Sequence, residues 1–82
     1  MTTKESTTMT SRKLAQELAD MYFNAPQGDK VTMIHLFGIR YAKEIEYCGS
    51  SIQKIVKLSG IGDSYATEVH KGIRLSQYVT AL

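Results

Sequence analysis

Apolar residues in this chain fall three and four apart, in stretches separated by glycine and proline, and no stretch alternates as a half-buried strand would. Leu14, Leu18, Met21 and Tyr22 form the first such stripe, and Ala25-Pro26-Gln27-Gly28 ends it. Thr10 or Ser11 can cap that helix. Asp29 is placed to cap a second, longer helix carrying Val31, Ile34, Phe37, Gly38, Tyr41, Ile45 and Cys48, with Gly49 just past its end. Ser50 and Gln53 have the spacing of a capping box for a third helix, Ser51 to Ser59, with Ile52, Ile55, Val56 and Leu58 apolar. Gly60-Ile61-Gly62-Asp63 breaks it. A fourth helix is expected over 64–71, ended by Gly72, and a fifth over 73–81 with Ile73, Tyr78, Val79 and Leu82 available to pack. The expected fold is therefore all-α, a compact bundle of four to five helices. Gly38 stands out inside its helix, where it costs about 1 kcal/mol against alanine. A close helix crossing would explain it.

At 82 residues, one small core is expected, over residues 11–82. Residues 1–10 hold five threonines and a serine and read as a disordered tail. No apolar run approaches the ~18 residues of a membrane span, and the polar N-terminus lacks the apolar segment of a secretory signal. A single cysteine fits a reducing cytoplasm. No cofactor is implied.

The formal charge is +2, from ten Lys and Arg against eight Asp and Glu. Through Gly49 the two signs cancel. Lys54, Lys57, Lys71 and Arg74 against Asp63 and Glu68 place all the excess in the C-terminal third. That is a weak polyanion signature, since strong nucleic-acid binders are more basic.

Residues that carry chemistry elsewhere have plain readings here. His35 and His70 lack the companions of a metal site, which needs about four ligands. His35 reads as a half-exposed helix residue, and His70 as lying near a helix C-terminus, where the dipole favours a cation. Cys48 reads as a small core residue. Glu44 and Glu46 point apart on a helix and make no acid/base pair. Tyr22, Phe23, Phe37 and Tyr41 fall at core spacing, while Tyr47 falls outside it. No catalytic constellation is present.

The informative segment is IQKIVKLSGIGDSYATEVHKG, Ile52 to Gly72. Ile55 and Val56 on one helix, Gly60 at the turn, Ile61 after it, and Ala66 and Val69 on the next helix resemble the helix-turn-helix of DNA-binding regulators. A tight turn asks for positive φ at Gly60, and the small Ala66 lets the helices approach. Together with MIHLFGIRYAKEI before it, the chain is similar to small bacterial helix-turn-helix-like proteins. The resemblance implies a recognition helix over 64–71 lying in the major groove of duplex DNA. Ser64, Tyr65, Thr67, Glu68 and Lys71 would face the groove, and Gln53 and Lys54 would hold the backbone. Two copies would be needed for two half-sites, and Met33 and Tyr47 on the long helix are the candidate dimer contacts. The same residues, Leu58-x-Gly60-Ile61-Gly62-x-x-x-Ala66-x-x-Val69, also resemble a helix-hairpin-helix. That motif implies backbone N–H groups offered to a phosphate without sequence readout. Asp63 and Glu68, which would repel phosphate, leave open a third reading: a module that binds another protein.

Overall fold

The computed structural model describes residues 9–81. Four α-helices and one 3-10 turn carry the described chain, and no strand occurs among these residues. α1 is Ser11–Phe23, α2 is Lys30–Tyr47, α3 is Ile52–Ser59, a 3-10 turn covers Asp63–Tyr65, and α4 is Ala66–Leu75. The expected all-α class is therefore the observed one. Most of the expected tail lies outside the described residues. Met9 packs partly against the core, and Thr10 accepts a hydrogen bond from the Lys13 N–H as the N-cap of α1.

The first three helices form where the apolar spacing places them. Their fully buried side chains are Leu14 and Leu18 of α1, Ile34 and Phe37 of α2, and Ile55 and Val56 of α3, joined by Val69 of α4. α1 packs against both α2 and α3, and α4 lies chiefly on α2. Burying seven side chains of this size, each worth roughly 1.5–3 kcal/mol against exposure, supplies the main drive for collapse.

Several expectations are corrected. Asp29 occupies the N-cap position of α2, but its side chain makes no capping bond. Its φ of −112° and ψ of 15° are not the extended geometry that points a cap side chain at the first free N–H groups. The third helix is capped by Ser51, whose Oγ accepts from the Lys54 N–H at 3.1 Å. Ser50 is one residue too early, so Gln53 is not in register for a capping box. Val31, Leu58 and Phe23, expected in the core, are exposed. Lys30 covers the end of α1 instead. Its ammonium donates to the Tyr22 carbonyl at 3.1 Å and stands 4.6 Å from the Tyr22 ring centroid.

The largest correction concerns Gly72. It does not end the fourth helix, which runs on to Leu75. The expected fifth helix is not formed: Ile73 belongs to α4, and Tyr78 and Val79 are exposed. Gly72 lies where α4 crosses α2 against Gly38. A Cβ on Gly72 would clash with the His35 carbonyl oxygen, and one on Gly38 would come within 2.7 Å of the Val69 carbonyl oxygen. Neither crossing partner is a flexible side chain, so two glycines are what let these backbones touch. The close crossing expected at Gly38 is thus present.

Candidate nucleic-acid interface

The corner between α3 and α4 is set by its backbone. Gly60 caps α3 in the left-handed conformation at φ +80°, with open space around it. Ile61 turns into the core. Gly62 follows at φ +118°, with the Tyr65 ring beside it. Ser59 is buried at the bend, donates to the Val56 carbonyl and accepts from the Ile61 N–H. The Gly60 N–H is given to the Lys57 carbonyl. Two of the hairpin's backbone donors are therefore satisfied within the chain.

The seven residues singled out in the sequence do not share one surface. Gln53 and Lys54 are exposed in the first turn of α3. Ser64 is exposed in the 3-10 turn. Tyr65 is half-buried: its hydroxyl accepts from the Tyr22 hydroxyl at 3.3 Å, and the ring centroids are 5.4 Å apart. The bond to Tyr65 is also the first reason the Tyr22 phenol is raised above its ordinary pKa. Glu68 turns toward α2. His35 Nε2 donates to Glu68 Oε1 at 2.6 Å, and Lys71 Nζ lies 3.5 Å from Glu68 Oε2. The His35 bond, reinforced by Lys71 and opposed by desolvation, holds the Glu68 carboxyl below the ordinary glutamate range. The charge-assisted pair spans the same α2–α4 crossing as the two glycines. His35 is half-exposed, as its place on the helix suggested, but its partner 33 residues away was not legible.

Thr67 and Lys71 do come together, with two residues outside that set. They line an open groove on α4 with His70 and Arg74, to which Ile73, Gln77 and Tyr78 also contribute. Thr67, His70, Lys71 and Arg74 are spaced i, i+3, i+4 and i+7, and all four are exposed. His70 is in mid-helix, since α4 extends past it, and is not near a helix end. Arg74 is inside α4, one turn beyond Lys71, where a cation also suits the helix dipole. The groove thus presents hydroxyl, imidazole, ammonium and guanidinium donors, and the Glu68 carboxylate beside it is shared between His35 and Lys71.

A family model described as an HTH-like domain matches residues 10–82. The chain belongs to that family. No curated protein and no solved structure matches it. The match covers all four helices, so in this HTH-like domain the α3–turn–α4 corner and its supporting helices form one unit. Among the described residues no group of three or more His, Cys, Asp or Glu could hold a metal ion, and no helix is long and apolar enough to cross a membrane.

Proposed function

We propose that this HTH-like domain binds duplex DNA through the exposed face of α4, as a transcriptional regulator or a DNA-associated accessory factor. The supporting observation is the donor strip Thr67, His70, Lys71 and Arg74 on the second helix of the corner, with Glu68 outside the groove and shared between His35 and Lys71. In this reading Lys71 and Arg74 meet phosphate or guanine, and Thr67 meets a base edge or phosphate. Ser64 flanks the strip. Gln53 and Lys54 hold the backbone from α3. Tyr65 positions the turn through Tyr22, and Glu68 acts by orienting Lys71. The reading needs neither catalysis nor a cofactor.

The hairpin reading is less favoured, because Gly60 and Ile61 already spend their N–H groups on Lys57 and Ser59. A protein-binding reading is favoured by one observation, the exposure of Tyr78 at 78% beside the same groove.

The test is a chemical-shift titration of the full chain with random-sequence duplex at low and then physiological salt. Shifts at Thr67, His70, Lys71 and Arg74 that weaken with salt are expected. Arg74→Ala is expected to lower the slope of log affinity against log salt by about one. Shifts centred on Gly60 and Gly62 would support the hairpin mode instead. No shift at low salt would overturn DNA binding and favour a protein partner.

A further inference from the structure

α2 is kinked at Tyr41, where φ is −111° and ψ is 20°; Ala42, Lys43 and Glu46 after the kink and Ile39 before it lie along the side of α2 that turns away from the core. Two open grooves adjoin along it and share Ala42, Lys43 and Ser76. One is floored by Ile45, Ile52 and Ile73. The other is flanked by Val79, which is 49% exposed. This is a partly apolar trough between α2 and the segment after α4.

Its charges have an order. Among the residues lining the trough, taken in chain order along α2, two bases come first, Arg40 and Lys43, and two acids follow, Glu44 and Glu46. Lys43 and Glu46 form no ion pair with another described residue. A helix that is basic and then acidic is complementary to itself when a copy runs antiparallel. A two-fold axis places each residue i against j and j against i, so Lys43 would face Glu46 of the second copy, twice. An unrelated partner would have to reproduce that order in reverse, whereas a second copy has it by symmetry. Covering the trough would also add apolar burial to a chain whose size leaves its core small.

We infer that the occupant of this trough is a second copy of the chain, docked with the two α2 helices antiparallel across a two-fold axis. Ser76 and Gln77 at the end of α4 line the same trough, so the axis passes by the C-terminal ends of the two α4 helices. The two donor strips then run outward from it. The inference rests on the shape and charge order of α2 and does not depend on DNA binding.

The test measures the mass of the full chain by sedimentation equilibrium without nucleic acid. The wild type is expected to be a dimer. Lys43→Glu makes the facing pair all acidic and Glu46→Lys makes it all basic. Each alone is expected to weaken association by about tenfold or more with helicity by circular dichroism unchanged, a loss of roughly 1.4 kcal/mol. An equimolar mixture of the two variants is expected to associate again. Concentration-dependent amide shifts of the wild type at Ile39, Ala42 and Glu46 provide a readout that needs no variant. A wild type that stays monomeric at millimolar concentration overturns the inference, and so do variants that associate as tightly as the wild type. Loss of DNA binding with the dimer intact would overturn the reading of α4 alone.

Discussion

Two pairs of glycines shape this domain, and they act for opposite reasons. Gly60 and Gly62 are needed for their backbone angles, φ +80° and +118°, and Gly60 has open space around it. Gly38 and Gly72 lie inside helices and are needed for the space a side chain would fill. At the corner a residue is excluded by conformation. At the crossing it is excluded by the neighbouring backbone. A glycine in a sequence therefore has two meanings that local pattern alone does not separate.

Alanine at each position turns that contrast into numbers. Gly72→Ala is expected to be the most damaging. Helix propensity alone would favour alanine by about 1 kcal/mol. The clash a Cβ would make with the His35 carbonyl oxygen decides the sign, because α2 and α4 must separate to admit a methyl group. A loss of about 3 kcal/mol or more is expected in chemical denaturation, at the upper end of overpacking costs. Gly38→Ala, with contacts of 2.7 to 2.9 Å, should cost somewhat less. Because both changes force the same separation, the double variant should lose less than the sum of the two. Equal and additive losses would show that the crossing is not one shared contact.

Gly60→Ala comes next, at about 1–2 kcal/mol, the ordinary penalty for a side chain in the left-handed region. Gly60→Asn should recover much of that loss, since asparagine tolerates this conformation. No such rescue is expected for Gly72→Asn. A thermal scan of the four variants separates the two kinds of glycine directly, and an asparagine that rescues Gly72 or fails at Gly60 would collapse the distinction.

The corner was legible in the sequence for this reason. Gly60-Ile61-Gly62 between two apolar stripes has a conformational signature, and the periodicity of Leu14, Leu18, Ile34, Phe37, Ile55 and Val56 located most of the core. Gly38 was readable as a crossing because it interrupts a long helical pattern. Gly72 was not, because a glycine after one short helical pattern looks like a terminator. That single misreading moved Arg74 off the helix and His70 to its end. It also split α4 into two helices and hid half of the donor strip. Thr67 and Lys71 were identified, but the groove they share with His70 and Arg74 requires the helix to continue. The Ser50-for-Ser51 cap is a smaller case, in which two adjacent serines compete and only backbone geometry chooses. The turn of Glu68 toward His35 is a long-range event that no spacing along the chain encodes.

That pair supplies the smallest effect, and one confined to the crossing. Glu68 is held below the ordinary glutamate range by the hydrogen bond from His35, with Lys71 adding to it and desolvation working against it. A carboxyl depressed in the folded state binds its proton less readily there than in the unfolded chain. Its contribution is present above the unfolded value and is lost as pH falls through the folded one. Wild-type melting temperature should therefore fall as pH drops through and below the ordinary glutamate range. Glu68→Gln should melt lower than wild type near neutrality, and the gap should close in acid. The glutamine keeps the size of the side chain and removes only its ionisation, so a gap that persists unchanged in acid would mean that packing at the crossing, not the charge on Glu68, is what the pair contributes. Gly60→Ala, on the far side of the contrast, should show a loss that does not vary over the same pH range.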